Sequence, residues 1–202
     1  MLKRLALAPA LTLALAAPAW ADKIPLADIS SYLNGMKTAE ADFTQVNDDG
    51  SISTGTLYIK RPGRVRFEYD KPDDTLVMAG ANTVAIFDNK SNTGPATYPL
   101  SRTPLSIILA ENVDLGRERM VTGHTSDDKT TTVQAQDPEH PEYGNIQLVF
   151  TDSPTELRQW VITDDAGAKT TVILGDLRTG VNIPDTQFNI EMAKTQRAPE
   201  RR

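Results

Sequence analysis

From Ala39 to Leu177 the chain is written in short segments of period two, with turn residues between them, and that rhythm leaves few folds open. The segments run over 39–47, 51–60, 64–69, 75–79, 83–88, 119–124, 129–136, 145–151, 156–163 and 168–177. Each puts apolar side chains on one face of an extended strand and polar ones on the other. Between them stand Asp48-Asp49-Gly50, Gly80-Ala81-Asn82 and Asp164-Asp165-Ala166-Gly167. Gly, Asn and Asp tolerate the positive φ of tight hairpin connections. Strand after strand at this spacing predicts a meandering antiparallel sheet rather than alternating strand and helix.

Helical signals are few. Leu26, Ile29, Leu33 and Met36 recur at helical spacing, with Pro25 in the first turn and Gly35 near the end. Thr103-Pro104-Leu105-Ser106-Ile107-Ile108-Leu109-Ala110 reads as a short helix with a threonine cap, proline at its first position and an apolar face of Leu105, Ile108 and Leu109. Such short helices cannot form a layer over a sheet this long, and a long sheet curls. The expected fold is therefore mainly β, of α+β class: an incomplete antiparallel β-barrel, a curled half-barrel whose short α-helices plug or cover the concave side. Periodicity alone does not separate a filled core from a lidded apolar cavity.

The N-terminus predicts export. Lys3 and Arg4 precede an apolar run from Leu5 to Ala17, and Ala19-Trp20-Ala21 has the small-x-small form of a cleavage site. Residues 1–21 read as a secretory signal peptide, too short and too proline-interrupted to span a bilayer. Cleavage removes two positive charges and takes the net charge from −6 to −8. So acidic a chain argues against nucleic acid and anionic lipid surfaces as partners. It contains no cysteine, which excludes a disulfide, a thiolate nucleophile, a thiolate metal ligand and a lipidated cysteine anchor. Residues 22–194 are expected to form one domain, with 195–202 as a mobile tail.

The densest chemistry lies at Lys60-Arg61-Pro62-Gly63-Arg64-Val65-Arg66-Phe67-Glu68-Tyr69. Arg61 closes one strand and Pro62-Gly63 turns the chain. Val65, Phe67 and Tyr69 then share a face, Arg64, Arg66 and Glu68 the other, expected to be solvated. Leu57 and Ile59 continue the apolar alternation up to Arg61. A cation at the rim of an apolar sheet face suggests a pocket with a polar latch.

These residues carry a family likeness. Asp42-Phe43-Thr44-Gln45 followed by Gly55-Thr56-Leu57-Tyr58-Ile59-Lys60-Arg61-Pro62-Gly63-Arg64-Val65-Arg66-Phe67-Glu68-Tyr69 resembles the signature of the periplasmic outer-membrane lipoprotein carrier family, LolA. Leu76-Val77-Met78-Ala79-Gly80 with Val84-Ala85-Ile86-Phe87-Asp88 looks like that family's next hairpin, and 103–109 like its lid helix. The resemblance implies a soluble periplasmic shuttle of Gram-negative bacteria. Its apolar interior would take the acyl chains of triacylated lipoproteins, received from an inner-membrane lipoprotein-releasing transporter and given to an outer-membrane receptor. It also implies that Arg61 latches the lid through hydrogen bonds. Candidate cavity walls are Phe43, Leu57, Ile59, Val65, Phe67 and Tyr69, and candidate lid residues are Leu26, Ile29, Leu33, Met36, Leu105, Ile108 and Leu109. Gln187-Phe188-Asn189-Ile190 looks like the family's late strand, after which the chain lacks the longer terminal loop and extra strand of some members.

Enzyme signatures are missing: no Gly-x-Ser-x-Gly elbow, phosphate loop, dinucleotide glycines or His-Glu-x-x-His motif occurs. His124 and His140 read as surface residues, and no metal or cofactor is expected. The paired aspartates at 73–74, 127–128 and 164–165 sit at turns, where carboxylates brace the backbone. The carrier reading thus stands against a related half-barrel that binds or senses another exported lipid or amphiphile, and against a glycolipid-processing enzyme built from dispersed residues. A monomer is expected, since handing over cargo needs a free mouth.

Overall fold

The structure is a computed structural model that describes residues 23–197 apart from 89, 90 and 92. The proposed signal peptide, residues 1–21, lies outside the described residues.

Two runs of hairpins build the sheet. β1 (Thr38–Val46), β2 (Ile52–Lys60), β3 (Arg64–Tyr69), β4 (Leu76–Gly80), β5 (Thr83–Phe87) and β6 (Ala96–Pro99) follow one another in sequence and in space. β7 (Val121–Ser126), β8 (Thr130–Gln136), β9 (Asn145–Thr151), β10 (Glu156–Thr163) and β11 (Lys169–Leu174) do the same. Antiparallel pairing of β1 with β11 joins the runs into one twelve-stranded sheet whose edges, β6 and β7, do not pair with each other. The barrel is therefore open. The segment expected as one strand over 168–177 breaks at Gly175, whose N–H bonds Asp42 O at 2.8 Å, and pairing with β1 resumes in β12 (Arg178–Thr179).

Turn chemistry sets the register. In the β4–β5 hairpin, Ala81 and Asn82 both take positive φ, 47° and 61°, the backbone a two-residue hairpin turn needs. Gly80 serves another purpose. A Cβ there would lie 2.5 Å from Phe188 O, so glycine lets the C-terminal segment cross the sheet.

Alternation sends the two faces to different cores. The concave face carries Ala39, Phe43, Leu57, Ile59, Val65, Phe67, Ala79 and Val84 from one arm, and Val133, Leu148, Trp160, Val172 and Leu174 from the other, all buried in one cluster. Against them pack α1 (Leu26–Gly35) through Ile29 and Leu33, and α2 (Leu105–Leu109) through Leu105, Ile108 and Leu109. Ten residues are fewer than the roughly 12–15 that an isolated helix needs in water, so α1 owes its stability to this apolar stripe. Thr103 does not cap α2. Its hydroxyl turns back to Leu100 O at 2.8 Å, and Pro104 stands at the cap position.

The convex face has a smaller core of its own. Leu76, Met78, Ala85 and Phe87 are covered by Ala193 and Ile190 of α3 (Ile190–Gln196). The sequence 187–190 is thus not a late strand: it runs through a 3-10 turn, Asp185–Phe188, into α3. Asn189 caps that helix, its side-chain oxygen accepting from Met192 N–H at 3.0 Å. Thr195 and Gln196, the first residues of the expected tail, are the end of α3, and residues 198–202 lie outside the described residues.

Candidate functional site

Where α1 and α2 end, one side chain holds both. Beyond β2 the chain turns at 61–63, with Gly63 at φ 71°, and this turn points Arg61 inward beneath the helices. Arg61 is only 5% exposed. Its guanidinium donates from Nη1 to Leu33 O near the end of α1, and from Nη2 to Ala110 O after α2 at 2.6 Å and to Asn34 Oδ1 at 3.2 Å. All three acceptors are uncharged. Burial pulls its pKa down from the ordinary guanidinium value, as for any charge that loses water. The partial negative charge of two carbonyl-rich helix ends compensates in part. A backbone bond supports the contact, Gly63 N–H to Leu109 O at 2.8 Å. Arg61 Nε has no partner.

Asn34 extends this knot to a segment the sequence reading passed over. Its Nδ2 donates to Val113 O and its Oδ1 accepts from Val113 N–H, both at 2.8 Å. Ser30 Oγ accepts from Leu115 N–H at 3.1 Å. The strap 113–115 is thereby bound along α1, with Val113 and Leu115 buried in the concave core. The signal was an alternation, Asn112-Val113-Asp114-Leu115, too short to stand out.

The start of α1 has a second anchor. Ile24 N–H donates to Thr131 Oγ1 at 3.1 Å, and His124 Nε2 lies 3.0 Å from Ile24 O, which makes it the donor. His124 is thus a half-buried tether rather than a surface histidine, and desolvation lowers its pKa. Midway, Tyr32 Oη accepts from Leu157 N–H at 3.1 Å.

The structure places the wall candidates Phe43, Leu57, Ile59, Val65, Phe67 and Tyr69 together on the concave face, and the lid candidates Leu26, Ile29, Leu33, Met36, Leu105, Ile108 and Leu109 against it. Phe43 meets Phe67 and Tyr69 edge-to-face at 5.4 and 5.1 Å. Gly55, between Phe43 and Tyr69 in register, leaves room for these rings. Tyr69 Oη donates to Gln45 Oε1 at 2.7 Å, and burial pushes its pKa up to about 12.

Arg64 and Arg66 are not a merely solvated face. Arg64 Nη1 and Lys60 Nζ converge on Asp185 Oδ1 at 2.6 and 2.7 Å. Arg66 bonds the Glu68 carboxylate and Gln187 O, so this face fastens the C-terminal segment to the convex side.

The helices occupy the concave side as it stands. A hollow of about 200 Å³ lies beside α2, lined in part by Ile107, Ala110, Val113 and Met120, smaller than the roughly 300–1,000 Å³ of ordinary ligand pockets. A larger one of about 500 Å³ crosses the convex side of β2, β1 and β11, but Asp42, Thr44, Thr54, Thr56 and Asp70 make it unsuited to an acyl chain.

An open antiparallel sheet whose apolar concave face is covered by short, hydrogen-bonded helices defines a covered half-barrel. The chain belongs to the LolA family, outer membrane lipoprotein carrier proteins, whose model matches residues 34–191. It is 26% identical over 190 residues to the outer-membrane lipoprotein carrier protein of Chromobacterium violaceum, covering 90% of this chain and 89% of that one. With the protein of the same name from Azotobacter vinelandii it shares 23% identity over 183 residues, 87% of each. Among solved structures, the LolA superfamily protein NE2245 of Nitrosomonas europaea aligns over 82% of this chain and 98% of its own at 9% identity, with a TM-score of 0.41.

Proposed function

We propose that this protein is a periplasmic chaperone that carries lipoproteins, their acyl chains held on the concave face, from an inner-membrane transporter to an outer-membrane receptor. Export through residues 1–21 belongs to the same proposal. The observation that carries it is the latch: an apolar sheet face closed by two helices whose carbonyl ends meet one buried arginine. A filled core for stability alone has no use for a buried charge at the edge of its cover.

Magnitudes explain why a carrier is built this way. Each buried methylene is worth about 0.8 kcal/mol, so one long acyl chain in water costs on the order of 10 kcal/mol. A permanently open apolar trough would recover nearly all of that and would not release its cargo. Here the chain must displace Ile29, Leu33 and the α2 side chains, exchanging one apolar contact for another, and must also separate Arg61 from its carbonyls. The difference between these terms sets the grip. The cargo leaves chemically unchanged, which separates a carrier from a lipid-processing enzyme.

The test is release. Residues 22–202 are added to energised spheroplasts, and the supernatant is assayed for lipoprotein bound to the added protein. A soluble complex containing the intact triacylated form is expected. No lipoprotein in the supernatant, with the releasing transporter shown to be active, would overturn the proposal.

A further inference from the structure

Among the described residues, each buried polar side chain on the concave face finds at least one partner, with one exception. Tyr69 Oη meets Gln45, Tyr32 Oη meets Leu157 N–H, and Thr131 and His124 both hold Ile24. Trp160 on β10 breaks the rule. Its indole is fully buried, and Nε1 has no hydrogen-bond partner. Val172 and Leu148 are its register neighbours and Phe67 meets it edge-to-face at 6.3 Å, and none of these side chains carries an acceptor. Buried donors without acceptors are rare in native proteins, and each calls for a reason. Phenylalanine would fill much the same space without that liability.

We infer that the Trp160 indole N–H is a binding contact for the carbonyl oxygen of an acyl ester or amide, the polar atom that an acyl group brings to an apolar wall. This rests on the carrier reading above and names the chemistry its interior recognises. Indole only donates, so the complementary group is an acceptor. A carboxylate or phosphate is a poor candidate, because Val172, Leu148 and Phe67 supply no cation and an unpaired charge among them would be strongly disfavoured. A neutral carbonyl satisfies the donor and leaves the apolar contacts intact. A bare hydrocarbon, or an ether, replaces the helix side chains equally well but leaves the N–H unpaired or weakly paired. Trp160 therefore biases the interior toward acyl over alkyl lipids.

The experiment compares dioctanoylglycerol with the corresponding dioctyl diether, each displacing a bound naphthalene-sulfonate dye from residues 22–202. The same titrations are run on Trp160→Phe and on a chain carrying benzothienylalanine at 160, which exchanges only N–H for sulfur. The preference for ester over ether is expected to fall about fivefold in both variants, the ordinary worth of one neutral hydrogen bond. Any general loss of affinity or fold cancels in the ratio. In residues 22–202 Trp160 is the sole tryptophan, so its emission should also move to the red with the ester and not with the ether. An unchanged ratio in the variants overturns the inference and leaves the carrier proposal standing. Failure of the parent chain to bind either lipid overturns both.

Discussion

Replacing Arg61 by leucine should loosen the lid without unfolding the sheet. In the closed state the guanidinium makes three hydrogen bonds, and bonds to charged groups contribute about 1.5–3 kcal/mol each. Lost hydration of a buried charge takes back several kcal/mol, so the latch nets only a few. Leucine gains about 2 kcal/mol by burial but leaves Leu33 O and Ala110 O without their donor, at about 1–3 kcal/mol each. The closed state should lose about 2 kcal/mol relative to the open one. The backbone N–H groups of Gly63, Val113 and Leu115 report this directly, because their bonds cross between the lid elements and their supports. Native-state hydrogen exchange at these amides should quicken about 30-fold, at about 1.4 kcal/mol per factor of ten, while amides within β1 and β2 stay as they are. Arg61→Lys keeps the charge but not the planar fork and should fall between. The variant should load lipoprotein and deliver it poorly. Unchanged exchange at the three amides, together with normal delivery, would refute the reasoning.

Two further perturbations test the ends of α1. Asn34→Ala removes both bonds to Val113 and the acceptor of one Arg61 bond, about 2 kcal/mol in all, and should lower the thermal midpoint by about 5 °C. A midpoint within a degree of the parent would mean that the strap is held by burial of Val113 and Leu115 alone. His124 binds a proton less readily folded than unfolded, since burial lowers its pKa. Its anchoring contribution is therefore complete above the ordinary imidazole value of about 6.5 and declines as the pH falls below it. The drop in melting temperature from about pH 7 to 5.5 should shrink in His124→Gln; matching profiles for variant and parent would remove His124 from the account.

Strong local periodicity is legible in the sequence; short or exposed elements and contacts between distant residues are not. The period of two from Thr38 to Leu174, the hairpin turns and the apolar stripe of α1 are properties of neighbouring residues, and they appear within a residue or two of their expected places, except that the last long strand ends three residues early at Leu174. Val65, Phe67 and Tyr69 share a face because alternation requires it, and the inward turn of Arg61 follows from its place at a strand end. β6 escaped because Ala96-Thr97-Tyr98-Pro99 is exposed throughout and so carries no alternation. Gln187 to Ile190 misled because four residues of period two do not distinguish a strand from a 3-10 turn leading into a helix. The better cue was Ile190 and Ala193, three apart behind the capping Asn189. Arg64 and Arg66 looked solvated because their partners, Asp185 and Gln187, stand 121 residues further along. Asn34 carries no cue of its own, because its partner Val113 stands 79 residues further along.

The second core under α3 bears on how an interior can be emptied. β4 and β5 are covered on both sides, by the lid elements on one and by Ile190 and Ala193 on the other, and the Arg64–Asp185 and Arg66–Gln187 contacts bind that outer cover. When the inner cover lifts, these strands keep half their apolar contacts, like a door frame still braced to the wall after the door swings out. Among the described residues, no helix builds a second core on the outer side of β8 and β9, at the far arm. Any widening of the trough to fit a bulky guest should therefore be taken up there, with the latch-bearing arm as the fixed post against which the lid returns.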